Sequence, residues 1–283
     1  MATKTEVTPV IYIRPARGWI PLNLSQLWAY RELVYFLTWR DVKVRYKQAS
    51  LGIGWAILQP VLSMVIFTVI FNKLLGVTPD AGIPENLYPI FAFAALLPWQ
   101  LFQGALQRSS ISLVANSNLL TKIYFPRLII PMSAVTAGLV DFFFSFLVLL
   151  GLMIFYKVEL TPKMFFLIPL ILLALSAALS VGLWFSAMNV QYRDVQQMVP
   201  FIITAWMYAS PVVFSIDKIP EGPWRMLYSL NPMVGVIQGF RWVLLGATPP
   251  GGMVFVSAVM VAILLISGLY YFRRMERNFA DLV

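Results

Sequence analysis

Six long apolar runs, parted by shorter polar stretches, fill most of the chain: Gly52–Phe71, Tyr88–Leu106, Leu128–Tyr156, Met164–Met188, Met198–Phe214 and Met253–Phe272. An α-helix rises about 1.5 Å per residue and a bilayer's hydrocarbon core is about 30 Å thick, so roughly 20 residues suffice to cross it. Lipid offers backbone N–H and C=O groups no partner, so each run is predicted to be a helix that satisfies its own hydrogen bonds. The Leu128–Tyr156 run exceeds the need and is expected to tilt or to reach beyond the lipid. The pattern predicts an all-α membrane protein with six transmembrane helices.

The stretches between the runs carry patterns of their own. Within Ser25–Lys47, ahead of the first run, Trp28, Tyr35, Trp39, Val42 and Tyr46 fall within about 60° of one another on a helix, while Arg40, Lys43 and Lys47 gather on a different face. An aromatic stripe beside a basic one suits a helix lying in the headgroup layer. Such a helix is a surface anchor, or it also frames a lateral entrance for an amphiphilic substrate. Asn116–Pro131, reading NSNLLTKIYFPRLIIP, mixes polar Asn116, Asn118, Thr121 and Lys122 with apolar Leu119, Leu120, Ile123, Tyr124 and Phe125. Pro126 biases Phe125 away from helical geometry, so a short amphipathic helix is predicted to end there. It either floats on the membrane or docks a cytosolic protein. Asn189–Gln197, NVQYRDVQQ, sets Arg193 beside Asp194: a solvated turn with a weak ion pair, or a second docking point.

Ser215–Gly252 is too long for a turn and too interrupted for two full crossings. Asn231 followed by Pro232 is a good helix start, with the cap residue ahead of a proline whose φ already fits. Two short helices are predicted, near Trp224–Leu230 and Pro232–Leu245, re-entering the outer leaflet without crossing. Such backbone survives in a membrane only where protein or water covers it.

Charge orients this arrangement. The net charge is +9, and with a cytoplasmic amino terminus and six crossings, residues 1–51, 107–127, 189–197 and the tail from Arg273 hold 15 of the 21 lysines and arginines. That split obeys the positive-inside rule and puts both termini in the cytoplasm. The excess follows loop parity, so nucleic acid is not an expected partner. Met1–Arg17 has no central apolar run and does not read as a cleaved signal peptide. Only 12% of residues are charged, against about 25% in soluble domains. The chain has no cysteine and no histidine, which removes thiol catalysis, the commonest metal ligand and the usual general base. No catalytic residue or metal site is expected.

Inside the membrane, Asp141 stands among Phe142, Phe143 and Phe144. A carboxylate at the bilayer centre costs about 2.5–3.5 kcal/mol unless it faces protein or water. It is either a partner for a polar group on a neighbouring helix or a proton or substrate site; no basic or histidine partner is visible for a relay, which favours the structural role. Trp99, Phe102, Trp184, Phe185, Trp206 and Tyr208 either pack between helices and at the interfaces or line a channel whose flat rings stack on sugars. No G-x-x-x-x-G-K-[ST] occurs, so a nucleotide-driven process requires a motor on another chain.

The run RELVYFLTWRDVKVRYKQASLGIGWAILQP (Arg31–Pro60) resembles the opening segment of type-2 ABC exporter permeases for polysaccharides, the membrane subunits that export O-antigen, capsule or teichoic acid. NSNLLTKIYFPRLIIP and NVQYRDVQQ resemble that family's two coupling segments, and SLNPMVGVIQGFRWVLLG (Ser229–Gly246) its re-entrant outer segment. The resemblance runs from about Leu27 to Arg277. It leaves residues 1–24 outside, as an amino-terminal extension with no assigned role, and implies an interfacial helix over 25–50 and an exporter transmembrane domain over 51–283. It further implies a homodimer with two cytosolic ABC ATPase subunits, which bind the ATP and Mg; this chain is expected to bind no cofactor. By that resemblance, Asn116, Leu119, Leu120, Lys122, Tyr124, Phe125, Arg127, Arg193 and Asp194 dock the motor, Leu119, Leu120, Tyr124 and Phe125 through apolar knobs and Lys122, Arg127 and Arg193 through charge. Trp39, Arg40, Lys43 and Lys47 would frame the entrance for an undecaprenyl-linked glycan, with Lys43 and Lys47 meeting its pyrophosphate, and the six aromatics above would line the path.

Three other classes compete. An ion-coupled secondary transporter needs repeats or paired intramembrane charges, and the sequence offers only Asp141. A membrane-embedded glycosyltransferase needs clustered acids or bases, and the twelve acidic residues are scattered. Small-molecule export would use the same ABC architecture. O-antigen cargo is preferred to capsule or teichoic acid on sequence flavour alone.

Overall fold

The structure, a computed structural model, describes residues 24–47, 52, 54–220, 222–276 and 279, and among them it contains no strand. The 1–24 extension (Leu24 apart) and the link from the surface helix to the first crossing lie outside the described residues. Two helices precede the bundle, α1 (Leu24–Ala29) and α2 (Arg31–Lys47), followed by α3 (Gly54–Phe67), which runs on through a π-helical stretch, Thr68–Leu74. Then come α4 (Tyr88–Ala115), α5 (Ser117–Lys122), α6 (Ile129–Thr136), α7 (Gly138–Phe155), α8 (Leu167–Gln191), α9 (Val195–Tyr208), α10 (Pro223–Tyr228), α11 (Pro232–Leu245) and α12 (Gly252–Met275).

Five helical stretches are long and apolar enough to cross a membrane: Gly54–Leu74, Glu85–Ala115, Ile129–Phe155, Pro162–Gln191 and Gly252–Met275. The fifth expected run, Met198–Phe214, contributes only α9, whose 14 residues measure roughly 21 Å at about 1.5 Å each. Pro211 disfavours helical geometry at Ser210, and the chain turns there instead of continuing. The long third run is two helices joined at Ala137, with the bend beside Gly138. The second run extends nine residues past Leu106, because its polar continuation finds partners inside the bundle.

The central element is α4. Its apolar window is 78% buried, against 11% for Gly54–Leu74, so α4 is wrapped by protein while α3 is left facing outward. It packs along α8, and α8 in turn along α12. Glycines allow both approaches: a Cβ on Gly182 of α8 would stand 2.4 Å from Ser109 Oγ of α4, and one on Gly268 of α12 would stand 2.6 Å from the Ser180 carbonyl oxygen of α8. Small residues at such crossings let membrane helices gain van der Waals contact that lipid cannot supply.

The two short helices expected near Trp224–Leu230 and Pro232–Leu245 form as α10 and α11. The Asn231 side chain accepts from Met233 N–H, and Pro232 occupies the first helical position of α11. Twelve of the fourteen residues of α11 are buried, so protein covers this helix nearly all round. Among them is Arg241, fully buried, 3.6 Å from the centroid of the Phe91 ring. Its guanidinium donates to the carbonyl oxygens of Val212 (3.1 Å) and Phe214 (3.2 Å). Nearby, buried Asp80 accepts from Gln238 Nε2 at 3.2 Å, tying the loop before α4 to α11.

Candidate functional site

Helix α2 lies against α6 along one stripe and exposes the other. Leu37 and Val42 are buried, and Thr38 Oγ1 lies 2.8 Å from Thr136 Oγ1. Trp28, Tyr35, Phe36 and Trp39 are exposed, and the Lys43 ammonium sits 5.7 Å from the Trp39 ring centroid. The stripe expected from the sequence is therefore split: Val42 and Tyr46 turn inward, and Trp28, Tyr35 and Trp39 form the outward face. The basic face divides too. Lys43 and Lys47 are exposed, whereas Arg40 bonds Asp41 (2.7 Å) and Asn116 Oδ1 (2.7 Å).

At the end of α2, Arg45 and Tyr46 reach into a cavity of about 490 Å³ between α2, α3, α4 and α7. Both donate to the Asp141 carboxylate in short hydrogen bonds, one oxygen each, and Arg108 Nη1 reaches the same carboxylate at 3.4 Å. Arg108 is fixed at a second point, where its Nε donates to the Ala134 carbonyl at 3.2 Å. Gln103 and Gln107 add polar groups to the wall, while Trp55, Leu97 and Phe142 make part of it apolar. Two guanidiniums thus share one carboxylate, and the cluster keeps one positive charge. Burial, reinforced by the bond to Asp141, pushes the Tyr46 phenol up to about 12. Asp141 is not the lone acid expected from the sequence: its basic partners, Arg45 and Arg108, stand 96 and 33 residues away in the chain. Sequence reasoning missed Arg45, Tyr46 and Arg108 because no local spacing brings them together.

The segment expected to dock a motor presents an uneven surface. Tyr124 is 76% exposed and its neighbour Ile123 is exposed, but Phe125 is only 7% exposed and packs with Leu37, Leu128 and Ile129. Leu119 and Leu120 are half-buried against the same cluster. The extended Ile123 ends α5 and turns successive side chains to opposite sides, so Tyr124 projects where Phe125 does not. Lys122 is exposed, and Arg127 donates to the Glu276 carbonyl oxygen while its guanidinium lies 5.8 Å from the Phe279 ring centroid, joining this segment to the end of α12. Arg193 and Asp194 are exposed, and no ion pair joins them among the described residues. Arg193 helps to line a second cavity of about 580 Å³ with Gln107, Ser110 and Gln196.

Most of the channel aromatics are engaged within the subunit. Trp99 and Phe102 are fully buried with centroids 5.4 Å apart, and Trp206 meets Phe102 edge-on at 5.1 Å. The Trp206 indole donates to Asn231 Oδ1 at 2.9 Å. Trp184 stacks on Tyr271 at 4.3 Å, and Phe185 is half-buried. Only Tyr208 of the six is exposed.

Known proteins resemble the chain along most of its length. The family model described as ABC-2 type transporter matches residues 32–245. The O-antigen export system permease protein RfbA of Myxococcus xanthus is 29% identical over 257 residues, covering 89% of this chain and 96% of that protein. Its namesake from Klebsiella pneumoniae is 29% identical over 265 residues, covering 92% and 97% respectively. The polysialic acid transport protein KpsM of Escherichia coli is 26% identical over 243 residues, covering 84% and 91%.

Proposed function

This chain belongs to the ABC-2 type transporter family, and we propose that it is the permease subunit of an ATP-driven exporter that moves a lipid-linked, O-antigen-like polysaccharide across the bacterial inner membrane. The observation that carries the reading is the end-to-end match to relatives named O-antigen export permeases, whose lengths it spans by 96% and 97%. A multi-pass membrane chain without a Walker motif needs an ABC ATPase partner. The working unit is a homodimer with two such subunits, which carry ATP and Mg. Each permease crosses six times, α9 with its following turn making the fifth crossing, and keeps both termini in the cytoplasm; α10 and α11 re-enter from outside. The exposed Ile123 and Tyr124, with Lys122 and Arg193, form the docking face, while Arg40–Asn116 and the Arg127–Glu276 contact brace it from behind. Asp141 pairs with Arg45 and Arg108, so the charge partners an ion-coupled transporter needs are present, and it is the family match that favours the exporter over that alternative.

The aromatic face of α2 holds the lateral entrance at the headgroup layer, where Lys43 and Lys47 first attract the anionic carrier. Replacing both with Gln is expected to lower export several-fold; unchanged export would remove them from the entrance. The main test deletes the gene and assays surface polysaccharide against lipid-linked glycan retained inside. Loss at the surface with accumulation inside supports export, and normal surface glycan overturns it. A capsule-type polymer is the second reading, favoured by the polysialic acid relative; it predicts that the retained glycan is capsular.

A further inference from the structure

We propose that the cavity around Arg45 and Arg108 is the binding site for the diphosphate group of a polyprenyl lipid carrier, with Asp141 holding the two guanidiniums until the anion displaces it. The identity of the lipid rests on the export reading; the anion chemistry rests on the cavity. Two cations around one carboxylate leave a positive charge in a partly enclosed space, where charges are screened far less than in water. A guanidinium presents a planar fork of donors suited to phosphate oxygens. The cavity is also amphiphilic, lined by Arg and Gln groups and by Trp55, Leu97 and Phe142, which fits a headgroup joined to an apolar tail better than a free ion.

Position strengthens the assignment. One stripe of α2 exposes Trp28, Tyr35 and Trp39, side chains that belong at a lipid headgroup layer, and its inner stripe delivers Arg45 and Tyr46 to the cavity. A lipid moving beside α2 therefore passes from exposed Lys43 and Lys47 to the paired arginines within the length of one helix. Arg108 is held ready at the far side by the Ala134 carbonyl and by the space over Gly138.

The test measures binding without turnover. The whole permease–ATPase complex is placed in phosphatidylcholine nanodiscs and polyprenyl diphosphate binding is titrated by native mass spectrometry. Arg108→Gln is expected to weaken binding about tenfold or more, the loss of charge-assisted hydrogen bonds. Asp141→Asn is expected to tighten it, because the competing carboxylate is gone. A purely structural cluster gives weaker binding in both variants or no change in either, and both results overturn the site. Displacement by an equal mole fraction of phosphatidylglycerol overturns the carrier in favour of bulk lipid; equally tight binding of inorganic pyrophosphate overturns it in favour of a free anion. If Arg108→Gln does not fold, Gly138→Ala displaces the same guanidinium and takes its place. Normal export with no binding at these residues sinks the site alone, whereas intact surface glycan in the deletion strain sinks the broader reading.

Discussion

The Arg108 guanidinium occupies the space a side chain at Gly138 would take: a Cβ there would stand 2.4 Å from Nη2. The bend between α6 and α7 thus serves an arginine on α4. Because the atom met is the movable end of Arg108, Gly138→Ala is expected to destabilise the protein by only about 1 kcal/mol, the low end of the usual cost of overpacking. Gly151→Ala on the same helix, with nothing within 4 Å, is the control. Melting of the purified complex in detergent reads the difference, and equal melting of the two variants would contradict the contact.

Tyr124 and Phe125 are adjacent and should fail differently. Tyr124→Ala removes an exposed ring and is expected to leave the melting temperature unchanged while reducing recovery of the ATPase subunit in a pull-down. Phe125→Ala empties a buried site and is expected to cost about 3–5 kcal/mol of permease stability. Loss of the ATPase from Phe125→Ala at full stability would reverse these roles.

Arg241 is a buried cation whose visible partners are two backbone carbonyls and the face of Phe91. Arg241→Ala leaves those carbonyls without a donor and opens a void, with an expected loss of about 3 kcal/mol or more. Phe91→Leu should be milder, since only the ring's attraction for the cation and part of its packing are lost. Chemical or thermal unfolding of both variants gives the order.

Tyr46 gives the structure an alkaline limit. Its folded-state pKa lies above the ordinary value near 10, so its contribution is fully present below about pH 10 and is lost as pH rises through about 12. Wild type minus Tyr46→Phe should therefore show a stability difference that is flat from pH 7 to about 9 and shrinks above about 10. A difference already falling near neutrality would mean that the phenol does not donate to Asp141.

The elements were legible where local chemistry decides them. Asn231-Pro232 marked the start of α11, and apolar length marked five crossings. The fifth run was ambiguous because hydropathy does not register that Pro211 stops a helix three residues past Tyr208. The site was less legible. Asp141 stood out as costly in lipid, but the groups that neutralise it come from α2 and α4, and ion pairing across 96 and 33 residues leaves no periodic trace. Phe125 likewise looked equivalent to Tyr124 in sequence; the extended backbone after α5 separated them.

The burial of α4 also constrains how the protein is made. Ribosomes release the chain from its amino terminus, so α4 emerges before α8 and α12 exist to enclose it. During that interval Arg108, near the end of α4, would lack Asp141, which follows 33 residues later. A nascent α4 must therefore be sheltered by the insertion machinery, or wait at the interface, until the hairpin with α7 closes. Translational pausing after α4 would expose this protein to misinsertion more than pausing at any of its outward-facing helices.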